Sequence, residues 1–167
     1  WDVTYQPAHV AARDFPFEVA ALAKFDRVML SDIGSNTLLL HPDTFVRSKV
    51  LPNRLDVIRD YVKAGGGLVM VGGYMTFQGI DAKARYRDTS LADVLPIEML
   101  AGDDRVERPD GVAPRVKNAR HAIASGLPRD WPALLGYNRF AARKGGTVVA
   151  SVGDDPLIVA GGFGKGR

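Results

Sequence analysis

The sequence predicts one α/β domain built on a mostly parallel sheet with helices on both faces and an antiparallel hairpin near its C-terminal end. Three observations carry that expectation. Two short apolar runs, Val28-Met29-Leu30 within 27–31 and Leu68-Val69-Met70-Val71 within 67–71, are unbroken by polar residues, as in strands buried on both faces. A strongly periodic helical segment lies between them. Strand, helix and strand joined by short links imply parallel pairing through a right-handed crossover. Finally, 147–151 and 157–161 are two β-rich runs flanking Gly153-Asp154-Asp155, the pattern of a hairpin.

The elements follow in chain order. Val3-Thr4-Tyr5 reads as the tail of a strand. Asp14 is expected to cap a helix over 15–24, with Pro16 in its first turn and Phe15, Val19 and Leu22 on one face. After the strand at 27–31, Asp32 to Asp43 reads as a loop with Gly34 and Asn36 as turn residues. The clearest helix spans 52–64. Leu51, Leu55, Ile58 and Val62 recur at helical spacing, Asp56, Arg59, Asp60 and Lys63 fall on the other face, and Gly65 ends it. The strand at 67–71 runs into the turn Gly72-Gly73-Tyr74. Beyond Thr89 the segments shorten and Pro96, Pro109, Pro114, Pro128 and Pro132 punctuate them. The segment Gly161 to Arg167 reads as a turn leading into a further strand.

The bulk numbers exclude several function classes. A chain of 167 residues fits one domain with a sizeable core, and 46% hydrophobic with 25% charged residues is an ordinary globular composition. No apolar run approaches the ~20 residues of a membrane helix, and the first ten residues lack the pattern of a signal peptide, so cytoplasm is the expected compartment and no membrane partner is expected. The absence of cysteine rules out disulfides, thiolate metal sites and a cysteine nucleophile within these residues. A net charge of +3 is mild, and Asp103, Asp104 and Glu107 alternate with Arg105 and Arg108. That is a solvated mixed surface rather than the clustered basic face of a nucleic-acid groove.

Chemistry is expected where open α/β sheets place it, beyond the carboxyl ends of the parallel strands. Two such ends are readable: Asp32 to Asn36 after the first strand, and Gly72 to Gly79 after the second. Asp32, Ser35 and Asn36 are expected to face Gly73, Tyr74 and Gln78 across a cleft, with Arg85 closing over it. Backbone N–H groups of Gly73 and Tyr74 would serve as donors to an anion or carbonyl. The second turn has the outline of a nucleophile elbow, a strand followed by a sharp glycine-rich turn and then a helix. Its apex is Tyr74, and a phenol with a pKa near ~10 is a poor acyl nucleophile at neutral pH. Other motifs carry less. No G-x-S-x-G supports a triad on Ser31 or Ser35. His41 before Pro42 and Asp43 reads as a helix-entry residue, with a metal shared with Asp32 as the sharper alternative. Gly162 to Arg167 lacks the spacing of a phosphate loop. Arg85-Tyr86 and Tyr137-Asn138-Arg139 are polar-aromatic runs that would form an anion or sugar pocket if they converged on the elbow.

The stretches LSDIGSNTLLLHPDTF (30–45), RDYVKAGGGLVMVGGYMTFQGIDAKARY (59–86), VLPIEML (94–100), LLGYNR and FGKGR resemble the glutamine amidotransferase-like family. This is a bacterial group of largely uncharacterised function in the class I amidotransferase-like superfamily, distantly similar to trehalose-utilisation proteins. The resemblance spans nearly the whole chain. It implies a flavodoxin-like three-layer α/β/α sandwich, and that a strand and loop before Trp1 and a strand after Arg167 belong to the complete family domain. Tyr74 stands near the position of the superfamily's catalytic cysteine, so amidotransferase activity does not carry over. The expected function is binding of a small polar metabolite, a sugar or sugar derivative, at the strand-end cleft, with no cofactor. The alternatives are a hydrolase or isomerase with a non-cysteine, metal-assisted site, and a subunit-interaction module. A homo-oligomer is compatible with each.

Overall fold

Strands β1 (Arg27–Ser31) and β2 (Gly67–Val71) pair in parallel, with Met29 opposite Val69 and Ser31 opposite Val71. They lie within a computed structural model that describes residues 2–128 and 130–167. Both strands stand at the expected positions, but they are not buried on both faces. Val28 and Leu30 point into the core, whereas Met29, Val69 and Val71 remain 62%, 38% and 40% exposed. Among the described residues only one side of the pair is covered.

The covering layer is helical. α5 (Arg54–Ala64) begins under an Asn53 cap, whose side-chain oxygen accepts the Leu55 N–H at 3.0 Å, and ends at Gly65 in a positive-φ conformation. Its Leu55, Ile58 and Val62 are fully buried in one cluster with Val28 and Leu30. The expected helix over 15–24 is replaced by α1 (Ala8–Asp14) and α2 (Val19–Leu22). Pro16 is the reason. It biases the residue before it away from helical geometry, and Phe15 is extended with ψ 136°, so Asp14 closes a helix instead of capping one. The residues Val3 to Tyr5 form no strand.

The expected loop from Asp32 to Asp43 contains α3 (Ser35–Leu39) and the start of α4 (Pro42–Arg47). Leu38 pins α3 to the core. His41 caps α4, accepting the Asp43 N–H at 3.0 Å, and Pro42 takes the first helical position, where a missing N–H costs least. α6 (Leu91–Val94) adds Leu91 and Val94 to the core.

The rest of the described sheet structure is antiparallel, more than the single hairpin expected. β3 (Ile97–Met99) pairs with β7 (Phe140–Ala142), and β4 (Arg105–Val112) pairs with β6 (Leu134–Asn138). β5 (Arg115–Val116), β8 (Thr147–Val152) and β9 (Asp155–Ala160) form a three-stranded sheet. The β8–β9 hairpin falls where the sequence put it, with a tighter turn at Gly153-Asp154. The β4–β6 ladder was masked by Pro109 and Gly111, which interrupt the alternation; the ladder slips register between Glu107 and Val112 to accommodate them. The chain is therefore a mixed α/β structure in which one parallel pair is accompanied by several antiparallel sheets.

Candidate functional site at the strand ends

The carboxyl ends of β1 and β2 lie side by side because the strands are parallel neighbours. Asp32 leaves β1 in the left-handed region, φ 48°, and its carboxylate reaches the turn after β2. Oδ1 accepts the Met75 N–H at 2.7 Å, and the Asp32 N–H donates to the Thr76 hydroxyl at 3.1 Å. A Cβ on Gly73 would stand 2.8 Å from Asp32 Oδ1, so a side chain there would displace the carboxylate. Tyr74, at the apex, is 54% exposed.

A buried polar network holds this turn from below. Asp104 is 1% exposed, and its carboxylate accepts the Gln78 N–H (2.8 Å), the Gly79 N–H (2.9 Å) and the Asn138 side-chain amide (2.7 Å). Asn138 in turn accepts the Gly73 N–H at 2.8 Å and donates to the Gly73 carbonyl at 3.2 Å. Gly79 has φ 63° and packs against the Tyr74 carbonyl, which leaves no room for a side chain. Above the turn, the Arg105 guanidinium lies 4.8 Å from the centre of the Tyr74 ring. Arg105 is held by Asp103 at 2.8 Å and Glu107 at 3.3 Å. The hydrogen bonds from Arg105, then that from the Asp81 N–H, hold the Asp103 carboxyl well below the usual carboxylate range.

Backbone strain concentrates in the same two loops. Of the six non-glycine residues with positive φ among the described residues, five are Asp32, Phe77, Asp81, Ala82 and Arg85. Such conformations cost of order 1–3 kcal/mol each and persist where the surroundings over-determine them, most often around functional sites.

Several sequence expectations need correction. No helix follows Tyr74; the chain turns repeatedly until a 3-10 turn at Ile80–Ala82, so the turn lacks the helix N-terminus of an elbow. The Gly73 N–H is engaged by Asn138 and is not a free donor. Ser35 is 1% exposed within α3, and Gln78 is 4% exposed, its side chain bonding the Ala101 carbonyl and the Arg87 N–H. Both support the loops from inside rather than line an open cleft. Asn36 is exposed on α3. Arg85 is exposed and makes no hydrogen bond to the elbow among the described residues; Arg105 occupies the place over Tyr74 that Arg85 was expected to take. His41 uses both ring nitrogens, Nδ1 for its cap and Nε2 donating to the Arg13 carbonyl at 3.2 Å, and among the described residues no group of three or more His, Asp or Glu side chains gathers that could hold a metal.

The two polar-aromatic runs do converge on the strand ends, through different atoms. The buried Tyr86 hydroxyl donates to the Ile33 carbonyl at 2.6 Å, and Asn138 clasps Gly73. Asp104 and Arg105 are not among the residues that the sequence points to for the site. The only signal was their place in a charged run, which reads as surface until the pairing of Arg105 with Asn138 is known. Two open depressions lie elsewhere, of about 410 Å³ beside Arg87, Glu98 and Arg143 and about 390 Å³ beside Leu40, Lys49 and Val50.

No curated protein matches this chain. Among solved structures it is similar to Cytoplasmic Protein STM3548 from Salmonella typhimurium, at 46% identity and TM-score 0.94, over 98% of this chain and 66% of that one. It is similar also to Cytoplasmic Protein STM1381 from Salmonella typhimurium LT2, at 47% identity and TM-score 0.94, with the same coverage. The chain thus spans about two thirds of the length of these relatives. The family described as "Putative glutamine amidotransferase" matches residues 1–167 from end to end, and the chain belongs to that glutamine amidotransferase-like family.

Proposed function

We propose that this chain is a cytoplasmic domain that binds a small polar metabolite, of the sugar or sugar-derivative class, at the turn joining Asp32 and Tyr74. One observation carries the reading. An exposed carboxylate, a half-exposed phenol and a guanidinium gather at the carboxyl ends of the parallel pair, on loops fixed by the Asp104–Asn138 network. A carboxylate accepts from sugar hydroxyls, while a phenol and a guanidinium donate to them, and a few such groups on a pre-formed frame are what a polar ligand requires. The absence of cysteine in these residues removes the thiolate on which glutamine hydrolysis depends. That the two Salmonella relatives are described as cytoplasmic proteins supports the cytoplasmic reading. The same reading places the parallel pair within a flavodoxin-like three-layer sandwich in the complete domain, which the bare outer face of β1 and β2 supports.

The test is a thermal-shift screen of the full-length protein against sugars, sugar phosphates and sugar acids, since a ligand that binds only the native state raises the melting temperature. A hit whose shift is lost in Asp32→Asn and reduced in Tyr74→Phe supports the site. A hit unaffected by both substitutions places binding elsewhere, and ammonia release from glutamine abolished by Tyr74→Phe would replace binding with catalysis.

A further inference from the structure

Arg87, Asp88, Glu98 and Arg143 line one open depression of about 410 Å³, together with Met99. Two positive and two negative side chains thus share a small volume, yet no ion pair among the described residues involves any of the four. Elsewhere on this surface opposite charges do find each other. Arg105 is held by Asp103 and Glu107, and Arg59 by Asp56 and Asp60. Among the described residues the sole hydrogen bond of the four side chains is a long one, from Arg143 Nη1 to the Asp93 carbonyl at 3.4 Å.

Two separate frames hold these groups. Arg87 and Asp88 stand on the 3-10 turn Tyr86–Asp88. That turn is fixed by the buried Tyr86, whose hydroxyl donates to the Ile33 carbonyl, and by the Arg87 N–H, which donates to the Gln78 side chain at 3.1 Å. Glu98 and Arg143 belong to the β3–β7 ladder. Glu98 stands opposite Ala141, and Arg143 extends the ladder by donating its N–H to the Pro96 carbonyl at 3.0 Å. By the two-residue period of a strand, Glu98, Ala141 and Arg143 share a face, and the small Ala141 leaves room between the two charged side chains.

We propose that this depression is a second ligand site, separate from the strand ends, and that it takes a small zwitterion. Arg87 and Arg143 receive its acid group, and Glu98, with Asp88 beside it, receives its protonated amine. Charge complementarity decides between ligands. An acid without an amine would lie against two unpaired carboxylates, and an amine without an acid would lie against two guanidiniums. Only a ligand carrying both signs matches all four groups. Among the described residues no three His, Asp or Glu side chains gather to hold a metal instead. The guanidinium fork suits a carboxylate or a phosphate equally, so amino acids and aminoalkyl phosphates share the required chemistry.

NMR titration of the full-length protein at low ionic strength tests this, because salt screens exposed charges. The probes are glycine, β-alanine, γ-aminobutyrate and phosphoethanolamine, with propionate and propylammonium as singly charged controls. At least one zwitterion should bind saturably and about tenfold or more tighter than either control, as one added charge-assisted hydrogen bond implies. The tighter of the amino acids and phosphoethanolamine identifies the acid group. Arg87→Gln should weaken that binding about tenfold. Glu98→Gln should bring the zwitterion to the level of its amine-free acid, a loss of selectivity that a merely structural change would not give. Both side chains are exposed, so both variants should fold. Absence of saturable binding by every zwitterion overturns the proposal, and so does propionate binding as tightly as β-alanine. Binding unchanged in both variants, or lost instead in Asp32→Asn, places the ligand elsewhere and overturns it too. None of these outcomes bears on the strand-end reading, which stands on its own screen.

Discussion

Asp104 accepts three hydrogen bonds in a buried position and pairs with no cation among the described residues. Its partners come from the turn after β2 and from β6, so it is the joint between the parallel and antiparallel halves of the site. Asp104→Asn keeps the shape and reverses one end of the polarity. The new amide must direct its own donors at some of the three donors that the carboxylate now receives. A lost bond plus an unsatisfied buried donor costs about 2–3 kcal/mol, so urea unfolding should shift by that amount. Metabolite binding should weaken as well, although the side chain does not reach the surface. A variant with wild-type stability would show that the turn does not depend on this carboxylate. At this scale the sequence was partly legible. The meeting of Asp32 with the turn at Gly73 and Tyr74 follows from the parallel pairing of β1 and β2, which sets their carboxyl ends side by side. Asp104 does not, because an acid between Asp103 and Arg105 looks solvated until the long-range β4–β6 pairing buries it.

Helices α1, α3 and α5 meet at a single buried arginine. Arg54, fully buried, donates Nε to the Leu38 carbonyl (2.8 Å), Nη1 to the Ala11 carbonyl (3.0 Å) and Nη2 to the Thr37 carbonyl (3.0 Å), and it lies 5.1 Å from the centre of the Phe17 ring. The Leu38 and Thr37 carbonyls lie in the last turn of α3, where carbonyls lack partners within the helix, and the Ala11 carbonyl also accepts the Phe15 N–H at 3.2 Å. Burial pushes the Arg54 pKa down, yet an arginine stays charged at neutral pH. The planar fork is what lets one side chain serve three carbonyls, so Arg54→Lys is not conservative. Both Arg54→Lys and Arg54→Met should lose about 3 kcal/mol or more in chemical denaturation, Met through the stranded Leu38 and Thr37 carbonyls and the bond lost to Ala11, and Lys through the loss of the fork. A lysine variant of wild-type stability would refute this. Element boundaries show where the sequence was informative. α5 was legible to within two residues because burial follows its helical period. The expected helix over 15–24 holds only α2, because the extended Phe15 and Glu18 on either side of Pro16 delay its start, and α1 lies wholly before it.

For the molecule as a whole, the parallel pair and the terminal hairpin were legible because each is a local pattern. The β3–β7 and β4–β6 ladders were not, since their partners stand more than twenty residues apart and β4 carries a proline. Tertiary packing also buries phenols, and this sets how the fold responds to alkali. Tyr86 is fully buried with its hydroxyl on the Ile33 carbonyl, and burial pushes its pKa far above the ordinary 10. Tyr61, bonded to the Phe25 carbonyl at 2.8 Å, is raised mainly by burial. Tyr137 is raised by burial first and then by Asp155, whose carboxylate accepts its hydroxyl at 2.7 Å. In each case the folded state favours the neutral phenol. In the unfolded chain these phenols ionise near pH 10, so above that pH the unfolded state binds fewer protons than the folded one. The stability they contribute is fully present below about pH 10 and is lost progressively above it. The melting temperature should therefore be insensitive to these phenols between about pH 7 and 9 and fall steeply beyond about pH 10. Tyr86→Phe separates this from general alkaline denaturation. It should begin less stable by about 1 kcal/mol, for the lost bond to Ile33, and then decline less steeply than wild type above pH 10, because the most strongly shifted group can no longer ionise. Parallel alkaline slopes for the two proteins would mean that Tyr86 does not govern the transition.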